Sequence, residues 1–221
     1  MKRYKELLIV SVCIIISIIS GMITKDLIIG GLTLLTAILC SYYSSEGKSI
    51  NYLFGIINCI LVSFIGFKNN LYGLFIFYFF VFMPLQILGY FSWKKHIDDD
   101  NNVIVREFNL KNSIIITLSC VIGSFIIAYL LNLIPTQRLA FLDASSNILN
   151  LCAFLLMMLR FKECWWIWLV NNLIDLAIWI LNVLNNGSNS VMMLIVSVMY
   201  LLINIYGIFK WHINAKRGSN E

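Results

Sequence analysis

Glu163-Cys164-Trp165-Trp166-Ile167-Trp168-Leu169-Val170-Asn171-Asn172-Leu173-Ile174-Asp175, continuing through Trp179 to Asn182, governs how the rest of the chain reads. On a helix, Trp165, Trp168, Asn172, Asp175, Trp179 and Asn182 follow one another at steps of three and four residues and share one face. Leu, Ile, Val and Ala fill the other. A soluble protein turns its apolar side to the core. In lipid the apolar side meets acyl chains, and the polar, aromatic side turns to the bundle interior. Indoles interleaved with amides and a carboxylate suit a site for a flat, partly polar organic molecule.

Composition extends this reading to the whole chain. Of 221 residues 60% are hydrophobic and only 12% charged, with a positive mean hydropathy, the make-up of an integral membrane protein. Apolar runs of roughly 17 to 23 residues, each long enough to cross a bilayer as a helix, recur from end to end. They are continuous rather than alternating, unlike the strands of a membrane barrel. Leu7 to Ile23 follows Lys2, Arg3 and Lys5 in the manner of a signal peptide. It is long for one, no small-x-small cleavage site closes it and further spans follow, so it reads as a retained helix. The six cysteines sit in or beside apolar runs without paired spacing, as small buried hydrophobes, and no metal or cofactor set is expected. His96 and His212 stand singly beyond helix ends, as solvated groups.

The spacing predicts eight spans, at about residues 7–23, 27–43, 51–67, 71–92, 113–134, 139–160, 164–184 and 191–210. Charge decides the count. Eight crossings with both termini cytoplasmic put 13 of the 16 Lys and Arg residues inside, leaving only Lys25, Lys68 and Arg138 outside, a strong positive-inside bias. Joining residues 7–43 into one span would break it. The loop from Lys94 to Asn112, which holds Asp98-Asp99-Asp100, reads as a solvated cytoplasmic connector.

An internal repeat supplies the architecture. Ile87-Leu88-Gly89-Tyr90-Phe91-Ser92-Trp93 and Ile205-Tyr206-Gly207-Ile208-Phe209-Lys210-Trp211 share Ile, Gly, Phe and Trp at one spacing, 118 residues apart, and the same offset sets Asn204 against Gln86. Asn58 meets Asn172 at an offset of 114, and Leu39-Cys40 meets Leu151-Cys152 at 112. The expected fold is an all-α integral membrane protein of eight transmembrane helices. It comprises an N-terminal helix (1–26), a three-helix repeat (27–96), a cytoplasmic loop and linker helix (97–138), a second three-helix repeat (139–215) and a cytoplasmic tail (216–221). One linker helix after three crossings makes the repeats parallel, a transporter architecture with the substrate site at the repeat interface.

Polar groups in lipid cost a few kcal/mol each unless they face protein or water. Asp175, near mid-span, either lines the pathway or anchors neighbouring helices by hydrogen bonds; Asp143 is the only other candidate for a proton relay. Trp165, Trp168 and Asn172 suit an aromatic base, with indoles to stack and an amide to donate and accept. Trp165 also fits an interfacial aromatic belt, as do Trp93 and Trp211. Gln86, Tyr90 and Trp93 share a face behind Pro84, which can kink the helix and free a carbonyl. Asn51, Gly55 and Asn58 make a similar face, and Asn147 and Asn150 a weaker pair. These amides suit sugar hydroxyls or serve as glue between helices.

The same residues carry a family resemblance. Asn51-Tyr52-Leu53-Phe54-Gly55-Ile56-Ile57-Asn58, Asn70-Leu71-Tyr72-Gly73, Pro84 to Trp93, Leu142-Asp143-Ala144 and Glu163-x-Trp165-x-x-Trp168-x-x-x-Asn172 resemble, in order, the signature segments of the PnuC-type vitamin transporters, over about residues 27–212. The resemblance implies a SWEET-like three-plus-one-plus-three helix fold. It also implies facilitated diffusion of nicotinamide riboside into bacteria, made one-way by a cytoplasmic kinase that phosphorylates the substrate, and frequent homo-oligomers. By position it implies Gln86, Trp168 and Asn172 in the substrate site, with Asn58 and Trp165 beside them. Tyr90 stands where many members have Trp, and Asn172 where others have Asp; related branches carry thiamine, riboflavin or deoxynucleosides.

The sequence therefore leads to a multi-pass transporter of the bacterial cell membrane. Its expected partners are a small-molecule substrate and the lipid bilayer, with no nucleic acid. The expected substrate contacts are Trp168, Asn172, Gln86, Trp165, Asn58, Tyr90, Asn204 and Asp175. An intramembrane enzyme would need paired aspartate motifs that neither Asp143 nor Asp175 has. A receptor or scaffold would explain the spans but not a polar, aromatic face in both halves.

Overall fold

The computed structural model describes residues 2–23, 28–70, 72–99, 101–132, 140–184 and 190–218. Lys25 and Arg138, two of the three cations expected outside, lie beyond the described residues, as does the side chain of Asp143. In chain order the helices are α1 (Lys2–Ile23), α2 (Ile29–Ser45), α3 (Asn51–Lys68), α4 (Tyr72–Ile76), α5 (Met83–Lys94), α6 (Leu110–Asn132), α7 (Ala140–Met158), α8 (Cys164–Leu184) and α9 (Ser190–Gly218). A π-helical segment, Phe77–Phe82, joins α4 to α5. Helix is what an apolar chain must form in lipid, because it satisfies its own backbone N–H and C=O groups. Among the described residues, Asn51–Lys68, Leu74–Lys94, Cys164–Leu184 and Met193–Ala215 are long and apolar enough to cross a membrane, and Val10–Ile19, Ile29–Ser45 and Ser145–Met158 are shorter apolar helices.

The chain forms two compact units, Met1–Val103 and Ile104–Glu221. In the first, α3 lies between α2 and the α4–α5 segment, and α1 packs on α2. In the second, α6, α7, α8 and α9 pack in succession. On α8, Trp166, Val170, Leu173, Ile180 and Leu184 are exposed for lipid contact; of the expected stripe Trp165 is buried and Trp168, Asn172, Asp175, Trp179 and Asn182 are half-buried, and the buried Asn171 lies off it.

Pro84 acts through the π turn rather than through an open kink. Its ring would collide with the carbonyl four residues back in a regular helix. Here the turn is widened, and the Met83 N–H reaches back five residues to the Tyr78 carbonyl. Gln86, Gly89 and Trp93 are thereby buried against the rest of the unit.

Each unit is closed by the same two devices. Helices α2 and α7 end in Schellman motifs: Gly47 N–H bonds to Ser44 O and Lys48 N–H to Tyr43 O, as Arg160 N–H does to Met157 O and Phe161 N–H to Leu156 O. Gly47 and Arg160 both have a φ of 70°. The second device is a large ring laid over a glycine. Tyr52 covers Gly89 and meets Trp93 edge-on at 5.0 Å, and Trp165 covers Gly207 and meets Trp211 at 5.8 Å. Caps and covering rings are each 113 residues apart. This register pairs Asn58 with Asn171, not with Asn172 as the amide match at 114 had it. Trp93, Trp165 and Trp211 are at most 1% exposed, so they are core rings and not an interfacial belt.

The acidic loop is docked rather than merely solvated. In the first unit Val103 N–H donates to Gly47 O at 2.9 Å, and the Lys48 ammonium donates to Asn101 O at 3.2 Å. In the second, Arg106 N–H donates to Arg160 O at 2.7 Å and Lys162 N–H to Arg106 O at 3.0 Å. Phe108 stacks on Phe161 at 4.0 Å, and Lys162 pairs with Glu107. Burial, aided by the charge of Arg106, pushes the Arg160 pKa down. Its guanidinium donates to Ile104 O at 3.3 Å. His96 is exposed at the end of α5, as expected. His212, by contrast, lies inside α9, half-buried and edge-on to Trp166, because α9 runs past residue 210.

Candidate substrate site

In the first unit the amides of α3 and α5 diverge in role. Asn58 turns its N–H to α2, donating to Thr33 O at 2.7 Å and to Thr36 Oγ1 at 3.2 Å. Gln86 lies across α3 at Gly55, whose missing side chain leaves the space that the carboxamide fills. It is 6% exposed, and its Oε1 has no hydrogen-bond partner. Asn51 is fully buried, with neither amide atom partnered. Tyr90, half-buried one turn beyond Gln86, lies under the Lys94 ammonium at 5.5 Å, a cation–π contact.

In the second unit, α8 presents Trp165 and Trp168 together, their rings edge-to-face at 5.2 Å. Trp168 is half-buried and its indole N–H donates to Asn150 Oδ1 at 3.2 Å, so the ring is held from both sides. Trp165 is enclosed, and its indole nitrogen has no partner. Asn172 Nδ2 donates to Tyr200 O on α9 at a long 3.4 Å. Asn204, also on α9, is 2% exposed with its Oδ1 unpartnered.

Asp175 is engaged by its neighbours. Ser146 Oγ on α7 donates to Oδ1 at 2.6 Å, and Asn171 Nδ2 donates to Oδ2 at 3.1 Å. Asn171 and Ser146 were not singled out from sequence. Asn171 sits off the stripe that drew attention to Asn172, and a serine on a helix gives no sign of its acceptor. Alanine at 175 strands two donors, the buried Asn171 and the half-buried Ser146, and we expect Asp175→Ala to lower stability by about 2 kcal/mol. Asp175→Asn, which keeps one acceptor, should cost less. Thermal unfolding of the detergent-purified protein checks this; unchanged melting with lost uptake would put the carboxylate on the pathway instead.

The described residues contain no cluster of three or more His, Cys, Asp or Glu side chains able to hold a metal. The six cysteines are free thiols, four of them buried. The first unit offers the buried carboxamide of Gln86 with an open acceptor, and the second offers the Trp168 indole, the buried carboxamide of Asn204 and the hydrogen-bonded carboxylate of Asp175.

Comparison with known proteins points to vitamin transporters of the membrane. A solved structure described as the crystal structure of the vitamin B3 transporter PnuC superposes with a TM-score of 0.78 at 26% identity, over 96% of this chain and 92% of that one. The nicotinamide riboside transporter PnuC of Neisseria mucosa is 29% identical over 195 residues, covering 84% of this chain and 72% of the relative. Its counterpart from Haemophilus influenzae is 27% identical over 186 residues, covering 83% and 78%. The family model described as nicotinamide mononucleotide transporter matches residues 27–213. With α2 through α8 and most of α9 inside that match, this multi-pass membrane protein belongs to the nicotinamide mononucleotide transporter family and is a transporter, not an enzyme.

Proposed function

We propose that this chain carries nicotinamide riboside across a bacterial cell membrane by facilitated diffusion. The observation that carries the reading is the pair of buried acceptors, Gln86 Oε1 and Asn204 Oδ1, at equivalent places in the two units. An unpartnered buried acceptor costs about 1–3 kcal/mol, a cost that a bound carboxamide or ribose hydroxyl would remove. Trp168 would stack on the pyridinium ring, and Asn172, Asn58, Tyr90 and Trp165 would complete the contacts, with Asp175 holding α8 to α7. The relatives' printed cargo is the riboside, whereas the family description names the mononucleotide. Side-chain chemistry favours the riboside: no Lys or Arg falls within residues 51–67, 72–93, 140–159, 164–184 or 190–209. A phosphate buried in those spans would lack a cationic partner.

The proposal extends to the topology. Eight crossings, an N-terminal helix (1–26), three-helix repeats (27–96 and 139–215), an intervening loop and linker helix (97–138) and a cytoplasmic tail (216–221) fit the charge distribution, with both termini inside. We also infer a homo-oligomer, and trapping of the cargo by a cytoplasmic kinase, as the resemblance to PnuC-type transporters implies. In liposomes, labelled riboside should equilibrate down its own gradient, indifferent to proton and sodium ionophores. Kinase and ATP sealed inside should drive accumulation beyond the external concentration. Uptake that requires an ion gradient would overturn the mechanism, and no riboside flux would overturn the cargo.

A further inference from the structure

We propose that Gly55 is a positioning residue: its missing side chain sets how far the Gln86 carboxamide reaches, and with it the cargo that the first unit accepts. The inference rests on the substrate role proposed for Gln86. A Cβ built on Gly55 would have as its three nearest atoms the Cδ, Oε1 and Nε2 of Gln86, with Nε2 at 2.5 Å. All three of these nearest atoms belong to one amide. Glycine within a helix is unfavourable by about 1 kcal/mol against alanine, and here close approach of a neighbouring side chain supplies the reason for it.

The second unit shows what the position can otherwise hold. Tyr52 and Trp165, both laid over glycines, fix the register of α3 against α8 at 113 residues. Gly89 with Gly207 and Trp93 with Trp211 fix α5 against α9 at 118. On these offsets Gly55 corresponds to Trp168, and Gln86 to Asn204. The first unit therefore pairs the smallest residue with the longer amide, and the second pairs the largest residue with the shorter one. Volume has been exchanged between the two positions of each pair. One unit offers a carboxamide arm, and the other an aromatic plane. Gly55 is the residue that makes the arm possible.

The chain has only two glutamines, Gln86 and Gln137. Selective 15N-glutamine labelling therefore gives two side-chain amide pairs, assigned by Gln137→Asn. Gly55→Ala should move the Gln86 signals and leave those of Gln137 in place. It should weaken binding of nicotinamide riboside about tenfold with little change in unliganded melting. In a Gln86→Ala background the same change should cost nothing further, and Gly55→Ala with Gln86→Asn should bind more tightly than Gly55→Ala alone. Should Gly55→Ala not fold, its rescue by Gln86→Ala would itself locate the collision at that amide. An unmoved Gln86 signal, or the same tenfold loss in the Gln86→Ala background, overturns the proposal. If the wild type responds instead to thiamine, riboflavin or a deoxynucleoside, the cargo assignment falls. The cycle is then run on that compound, and the labelling arm stands without any ligand.

Discussion

Trp168→Ala should weaken nicotinamide riboside binding by about ten- to a hundredfold and lower uptake in step. Stacking of a base on an aromatic side chain is worth about 1–3 kcal/mol, and each 1.4 kcal/mol is a factor of ten. The indole is fixed in place: Trp165 abuts it at 5.2 Å and Asn150 accepts its N–H at 3.2 Å. Because the ring is already ordered, little entropy is lost when cargo lands on it. Trp168→Phe keeps a plane and loses the N–H, so it should retain much more affinity than alanine. Titration calorimetry on the purified variants separates the outcomes. Alanine and phenylalanine variants equal to wild type would remove Trp168 from the site.

Gly207→Ala should be the most damaging single-methyl change in the second unit, costing about 3 kcal/mol or more of stability. A Cβ there would lie 2.5 Å from Trp165 Cε3, 2.6 Å from Cζ3 and 2.7 Å from Cδ2. Those atoms belong to a fused ring that is 1% exposed and flanked by Trp168 and Trp211. It has neither a flexible end to bend away nor room to slide. The contrast with Gly55 is instructive: the same substitution meets a swinging carboxamide in one unit and a rigid plane in the other. Gly207→Ala combined with Trp165→Phe should recover a large part of the loss. Thermal unfolding of the single and double variants checks this, and a single variant that melts like wild type would show that the ring is free to shift.

Much of the fold was legible because lipid leaves an unbranched choice between helix and barrel, and continuous apolar runs select helix. The α8 stripe was legible for a second reason: spacing of three and four residues is the signal that helical geometry writes into sequence. Hydrogen-bond partners leave no such signal. Nothing in the sequence says that Asn58 gives its N–H to Thr33 and Thr36, or that Asp175 accepts from Ser146 and Asn171. The loop from Lys94 to Asn112 reads as solvated because it holds charges of both signs. What docks it is backbone, at Gly47 and Arg160, and backbone bonding has no residue code. Glycine and tryptophan identities suggest the repeat in sequence, and its amide offset in α3 and α8 differs by one residue from that of the caps and covering rings. Asn171 and Asn172 are chemically alike, and only the covering rings distinguish them.

The π turn before Pro84 separates two properties that a regular helix ties together, length and phase. Each residue added to an α-helix turns everything beyond it by about 100°, so the face shown downstream normally depends on every residue upstream. A wide turn absorbs one extra residue as girth instead of rotation. The segment from Tyr72 to Phe82 can therefore differ in length by a residue at the π turn without turning α5. The upstream end can meet the demands of bilayer thickness while Gln86, Gly89 and Trp93 keep their bearing on Gly55 and Tyr52.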